Sequence, residues 1–248
     1  MSYDLAVLRG QLGERLHYFE EIGSTNEEAL RLGRAGAIDG SVIVAERQLA
    51  GRGRRGASWF CGEGKGLAFS MLLRPQFERA LWPRLSLVAG LAVAKAIEAA
   101  GLFPEVKWPN DVLIGGRKVC GILMEAEKDF AVVGIGLNVG QADLPQELRV
   151  VATSLETEGA GELARETYLL GVEAAFVNYA RLIATDFPHL VEMLRERCAL
   201  EGKKIEFLVG QDRREGFCQG IGDGGELLVR NGGKVERYFA ADQIRPLL

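Results

Sequence analysis

The segment Gln48-Leu-Ala-Gly51-Arg52-Gly53-Arg54-Arg55-Gly56-Ala57-Ser58-Trp59 interleaves glycines with three arginines. Glycines let backbone N–H groups approach a ligand closely, and guanidinium groups grip carboxylate or phosphate through paired donors, so the combination suits a polyanion. Two phosphate-binding patterns fit the letters and fail in context. Gly51-x-Gly53-x-x-Gly56 matches the dinucleotide fingerprint, which needs a helix directly afterwards, whereas Trp59, Phe60, Gly62, Gly64 and Gly66 follow. The phosphate-binding loop needs a lysine where Ala57 stands. Repulsion among Arg52, Arg54 and Arg55 predicts a loop that stays mobile until an anion neutralises it, a disorder-to-order change on ligand binding. The alternative is a solvated surface turn.

In Lys107-Trp108-Pro109-Asn110-Asp111 a cation, an amide and a carboxylate bracket a proline-fixed bend. Asn110 and Asp111 suit a hydrated magnesium ion, which takes few protein ligands, and Lys107 suits phosphate oxygens. An Asx-turn closing a strand pair is the plainer reading. Arg117-Lys118 follows the Gly115-Gly116 turn, and Lys118 is either a site cation or an edge charge. Cys61, Cys120, Cys198 and Cys218 are scattered without a C-x-x-C pair, which indicates neither a disulfide framework nor a zinc site. With His17 and His189 as the only histidines, chemistry built on histidine is not expected, and no metal site of protein ligands is assigned.

These residues need a scaffold, and the composition allows one: 248 residues, 48% hydrophobic and 26% charged, enough for a sizeable core. The net charge of −4 gives no global attraction to nucleic acid or anionic membrane. The best apolar run, Leu85 to Ala94, is cut by Lys95 and is too short to span a bilayer. The opening Met-Ser-Tyr-Asp is not a secretory signal, so a cytoplasmic protein is expected. Ser24-Thr25-Asn26-Glu27-Glu28 offers two overlapping capping boxes and predicts a helix from Ser24. Val42 to Ala45 and Leu67 to Leu73 predict buried strands. Leu85, Val88, Leu91, Ala92 and Ile97 mark a core helix over 82–100 ending at Gly101. Runs over 106–114, 119–126 and 130–139 predict a meander of strands. Two more helices are expected over 163–183 and 188–200. Beyond Gly202 come short strands over 205–209, 216–221, 226–229 and 235–239, with Asn231-Gly232 as a hairpin signal. The expected fold is α+β: a mixed β-sheet with packed helices over 1–200, then a small β-barrel over 201–248.

Taken in order, Ser24-Thr25-Asn26, the segment from Gln48 to Gly56, Lys107 to Asp111, Arg117 to Leu123 and Gly134 to Asn138 resemble the biotin protein ligases. The resemblance extends to Ala152-Thr-Ser-Leu155 and to the C-terminal β unit, and any one motif alone is weak. It implies a class II synthetase-like catalytic domain with an SH3-like barrel. It also implies a two-step reaction: biotin is activated by MgATP as biotinyl-5′-AMP, and the biotinyl group passes to a lysine of a biotin carboxyl carrier domain. By motif, Ser24, Thr25, Asn26 and Gln48 would contact biotin, with the Gly51-Arg52-Gly53-Arg54 backbone lining that pocket and Gly121 allowing close approach. Arg54 and Lys118 would carry the catalytic charge. Arg52, Arg54, Trp59, Lys107, Asn110 and Asn138 would contact the nucleotide, Trp59 beside adenine. Dense positive charge fits a step in which two anions must meet.

Some relatives carry an N-terminal helix-turn-helix. About two dozen residues precede the first motif here, so a ligase without DNA binding is expected, as monomer or homodimer. Leu49 stands where relatives also carry polar residues, and Gln48 is retained. The competing readings are a lipoate or octanoate ligase or transferase of the same superfamily, and a non-catalytic biotin-binding sensor.

Overall fold

The computed structural model describes residues 2–60, 64–140, 150–161 and 164–247. Its larger sheet contains β1 (Leu16–Ile22), β2 (Ser41–Gln48), β3 (Gly66–Leu73), β4 (Glu105–Lys107), β5 (Asp111–Ile114), β6 (Arg117–Ala126) and β7 (Ala131–Asn138). Their order is β1-β2-β3-β7-β6-β5-β4, with β1 and β2 parallel and the other neighbours antiparallel, the mixed sheet expected.

β2 shows why its middle reads as an unbroken apolar run. Successive strand side chains point to opposite faces. Val42 and Val44 enter the main core, and Ile43 enters a smaller one with Leu30, Leu72, Phe130 and Val132. Both faces are therefore covered: α2 (Thr25–Arg34) supplies Ala29 and Leu30 to the smaller core, while α3 (Arg84–Glu98) and α4 (Arg165–Ala180) fill the main one. Every apolar residue that marked α3 by its spacing is buried, and Gly101 beyond it takes a φ of 79°.

The structure departs from several expectations. The run over 106–114 is broken, because β4 and β5 pair with Lys107 opposite Asp111 and make Trp108-Pro109-Asn110 the turn of a hairpin. The helix expected over 188–200 is α5 (Phe187–Arg195). It stops where the chain turns to β4: Val106 N–H donates to the Arg197 carbonyl at 2.7 Å, and Ala199 N–H donates to the Val106 carbonyl at 3.0 Å. The helix expected over 163–183 is α4, residue 163 lying outside the described residues. β1 and the preceding α1 (Leu5–Leu12) were not foreseen, although the Asp4 carboxylate caps α1 by accepting from Ala6 and Val7 N–H groups.

The C-terminal unit is an antiparallel sheet of β8 (Lys204–Val209), β9 (Asp212–Ile221), β10 (Leu227–Asn231), β11 (Lys234–Tyr238) and β12 (Asp242–Pro246), in the order β11-β10-β9-β8-β12. Asn231 pairs with Lys234, so the hairpin turn is Gly232-Gly233, both at positive φ as a two-residue turn needs. β12 has no alternating pattern to reveal it; a register shift breaks its pairing with β8, and Gln243 takes a φ of 49°.

The expected boundary at 200/201 falls between α5 and β8, yet the apolar core crosses it. Phe207, Ile221, Leu227 and Val229 join the same cluster as the residues of α3 and α4. Trp108 Nε1 donates to the Gly225 carbonyl at 2.9 Å, and Arg195 Nε donates to the Ile221 carbonyl at 2.7 Å. No described helix is long and apolar enough to cross a membrane. Cys120, Cys198 and Cys218 are free thiols; Cys61 lies outside the described residues.

Candidate functional site

The start of α2 lies against the end of β2, and their contact replaces the capping boxes. Ser24 is the N-cap but makes no side-chain cap bond. Instead Gln48 Oε1 accepts from Thr25 N–H at 2.8 Å and from Thr25 Oγ1 at 3.1 Å, satisfying an amide that the helix itself leaves open. Glu27 and Glu28 are paired with Arg52 and Arg31.

Asn26 points into the sheet. Its Oδ1 accepts from Ser70 Oγ at 2.6 Å, and its Nδ2 donates to the Leu123 carbonyl at 3.1 Å and to Glu125 Oε2 at 2.9 Å. Gly134 makes this possible, because a Cβ there would collide with the Asn26 amide. Ser70 and Glu125 were missed in the sequence. Ser70 had a faint signal as the one hydroxyl within the apolar run of β3.

Gly121 and Gly136 are cross-strand partners on β6 and β7, and the Trp59 indole lies over both. A Cβ on Gly136 would collide with the ring, so the bare pair forms a floor for a flat group. Trp59 Nε1 is buried without a hydrogen-bond partner. Lys118 Nζ is 5.5 Å from the centre of the same ring and 2.5 Å from Asp111 Oδ1. Burial lowers the pKa of Lys107, with nearby Lys118 adding to the effect and Asp111 opposing it. Asp111 thus balances two lysines.

The arginine loop is not left to repel itself. Arg52 pairs with Glu27 and Glu125. Arg54 Nη2 and Arg55 Nη2 sit 2.6 and 2.5 Å from the two oxygens of Asp242 at the start of β12. Arg54 Nη1 also donates to Asn110 Oδ1 at 3.2 Å. The loop closes on itself through Gly53 N–H to Ala57 O and Trp59 N–H to Gly51 O, at 2.7 and 2.8 Å. Uncompensated positive charge, the physical reason for expecting a mobile loop, is therefore absent. Its counter-charges come from other parts of the chain, and nothing beside Asp242 announced that one.

Two cavities meet here. The smaller, about 60 Å³, is lined by Ser24, Thr25, Asn26, Gln48, Arg52, Gly53, Arg54, Trp59, Asn110, Lys118 and Gly121 among others. Most of the expected site residues, scattered over some hundred positions of chain, are thereby brought together. Gly51 lies just behind, where a Cβ would strike Trp59 and Gln48. The larger cavity, about 500 Å³, runs from Arg54 and Asn110 along Leu81 and Pro83 to Gly224 and Phe239 of the C-terminal unit. Arg54, Asn110 and Ile122 line both. Lys107 and Asn138, expected among the nucleotide contacts, line neither. Asn138 instead holds the following segment, its Nδ2 donating to the Thr153 carbonyl at 2.9 Å. Asn110 is not a simple Asx-turn: its Nδ2 reaches across to the Ile122 carbonyl at 2.8 Å.

The chain is similar to known proteins over most of its length. The model of the biotin/lipoate A/B protein ligase family matches residues 18–141. The chain is 35% identical over 240 residues to the bifunctional ligase/repressor BirA of Bacillus subtilis, covering 93% of this chain and 74% of that protein. It is 34% identical over 253 residues to the biotin–[acetyl-CoA-carboxylase] ligase of Mycobacterium tuberculosis, covering 97% and 92%. The structure of the biotin protein ligase from Aquifex aeolicus in complex with biotin and ATP superposes with a TM-score of 0.84 at 32% identity, covering 94% of this chain and all of that one. The chain belongs to the biotin/lipoate A/B protein ligase family.

Proposed function

We propose that this protein is an ATP-dependent biotin ligase acting on a biotin carboxyl carrier domain. The observation that carries the reading is the junction of a small polar pocket and a roomy cavity at Arg54 and Asn110, with Lys118 beside it. Biotin enters the smaller pocket, where Ser24, Thr25 and Gln48 supply donors and acceptors for its ureido ring and the loop from Gly51 to Arg54 forms the wall. ATP enters the larger cavity. The biotin carboxylate oxygen attacks the α-phosphorus, the bond to the β-phosphate oxygen breaks, and pyrophosphate leaves. The carrier lysine then attacks the acyl carbon of biotinyl-5′-AMP, AMP leaves, and the amine proton passes to solvent. Arg54 and Lys118 offset the negative charge that gathers when carboxylate and phosphate meet.

A magnesium ion on the triphosphate would screen its charge. Asn110, which lines both cavities, would meet the water shell of that ion. The division at 200/201 has a functional sense, because Gly224, Gly225 and Phe239 wall the nucleotide cavity from the far side. The reaction belongs in the cytoplasm, where ATP and the carrier are made.

Biotin-dependent exchange of labelled pyrophosphate into ATP, followed by transfer to a purified carrier domain, tests the proposal. Exchange driven by lipoate or octanoate but not by biotin makes this a lipoyl-type ligase. Biotin binding without exchange makes it a sensor.

Trp59 has to move. A space of about 60 Å³ holds a few waters rather than a fused-ring vitamin, and the indole covers the glycine floor. Biotin alone is expected to displace it, freeing the indole to stack on adenine. The indole emission of the parent should then change on adding biotin, and Trp59→Phe should lose that change because Trp82 and Trp108 are buried outside the smaller pocket. Biotin bound by calorimetry with unaltered emission would contradict the movement.

Asp242 ties the arginine loop to the wall of the nucleotide cavity. Cutting two charge-assisted contacts transfers the cost of ordering the loop to the ligand, roughly 1.5 kcal/mol. Asp242→Ala is therefore expected to raise the KM for biotin and for ATP, by about tenfold in all, because the loop borders both cavities. A lower KM for ATP would mean that Asp242 competes with phosphate instead.

A further inference from the structure

A second pair of reactive groups lies away from this site. The segment from Cys198 to Lys203 leaves α5, bonds to β4 through its neighbours Arg197 and Ala199, and then runs along β9. Cys218 N–H donates to the Lys203 carbonyl and Gly202 N–H donates to the Cys218 carbonyl, both at 2.9 Å. The chain thus brings two cysteines together, with the Cys218 thiol hydrogen-bonded to Cys198. Cys198 is half-buried at the edge of an open cleft of about 570 Å³ that it shares with Glu98, Phe103 and Arg197. Cys218 is fully buried behind it.

We propose that Cys198 and Cys218 are an oxidisable dithiol, Cys198 the thiol that meets a peroxide in the cleft and Cys218 the one that resolves it into a disulfide. The Cys198 sulfur bonds to one peroxide oxygen, the O–O bond breaks and hydroxide leaves, giving a sulfenic acid. Cys218 then loses its proton and attacks the Cys198 sulfur; the S–O bond breaks and water leaves. The two thiols are oxidised by two electrons and the peroxide is reduced by two.

Exposure assigns the roles, Cys198 opening to the cleft and Cys218 lying buried, and the direction of the electrostatics agrees. The hydrogen bond from Cys218 holds the Cys198 thiol down to about 7, aided by Leu200 and Glu201 N–H groups and opposed by burial. The Cys218 thiol is pushed up, first by its bond to Cys198 and then by burial. Cys198 is therefore richer in thiolate at neutral pH than an ordinary cysteine. A low-pKa, accessible thiol beside a resolving partner is the arrangement that oxidises selectively. Cys120, buried and with its thiol pushed up by burial, is an internal control. The disulfide would staple the end of the helical unit to β9 of the C-terminal sheet.

The test is stoichiometric hydrogen peroxide on the whole protein, followed by alkylation and peptide mapping. The expected result is an intact mass lighter by two hydrogens, with Cys198 and Cys218 in one linked peptide and Cys120 alkylated as before. Without peroxide, iodoacetamide should modify Cys198 at least about tenfold faster than Cys120 at neutral pH. Its rate should rise with pH through the neutral range, because only the thiolate reacts. Cys218→Ser should stop at a sulfenic acid on Cys198 that dimedone traps. A sulfinic acid at Cys198 without cross-link in the parent, a disulfide made by Cys61 instead, or alkylation no faster than at Cys120 each overturns the proposal.

Discussion

Lys118→Ala is expected to lower biotin-dependent pyrophosphate exchange by roughly 100- to 1,000-fold, the usual cost of removing one charge-stabilising donor from an acyl-activating site. The effect should lie on the chemical step, because in the proposed reaction Lys118 would meet charge that grows as the carboxylate approaches phosphorus. Losing the ammonium also leaves Asp111, now 2.5 Å from it, facing two incoming anions. Asp111→Asn added to Lys118→Ala should recover only the repulsive part, a few-fold. Lys118→Arg keeps the charge, but its planar fork cannot reproduce a point contact between Asp111 and the Trp59 face, so it should remain well below the parent. Biotin affinity measured separately should change far less than the exchange rate. Exchange within threefold of the parent for Lys118→Ala would remove this residue from the site, leaving it only the ion-pair partner of Asp111 on an interior strand.

Arg54→Gly carries the second large effect, on retention of the intermediate. Arg54 lines both cavities and joins Asn110 to Asp242, so on the proposed arrangement it would stand where carboxyl and phosphate become one mixed anhydride. Hydrogen bonds from a charged donor contribute about 1.5–3 kcal/mol, which is roughly 10- to 150-fold in a dissociation rate. The variant should make adenylate slowly and release it early, so that lysines of bystander proteins become biotinylated in the mixture. Pre-loaded adenylate chased with unlabelled ligand gives the rate directly. A variant that holds its adenylate as long as the parent would contradict this role of the loop.

The chemistry-bearing residues were legible because they lie in short contiguous segments with improbable composition. Ser24 to Asn26, Gln48 to Arg54 and Lys118 to Gly121 each needed only to be carried to a common place, and they line one cavity. The helix at 84–98 and the strand at 41–48 were legible from their apolar spacing. What escaped was contributed across distance. Asp242 faces Arg54 from nearly two hundred residues away, Glu125 answers Asn26 and Arg52 from the far side of the sheet, and Ser70 hides inside an apolar strand. The capping boxes marked the helix start correctly but not its bonding, because Gln48 takes the Thr25 amide that Glu28 was expected to take, and Glu28 pairs with Arg31 instead. β12 and β1 escaped because strands with few buried residues have no periodicity to read.

The apolar core that runs unbroken past residue 200 has a consequence for product exit. If helices and terminal sheet are welded by Phe207, Leu227 and their neighbours, that seam cannot gape during each turnover without wetting the interior of both. In the proposed arrangement spent nucleotide would therefore leave by the arginine-bearing side, and a chain truncated after α5 would be a sticky, half-open shell rather than a smaller catalyst.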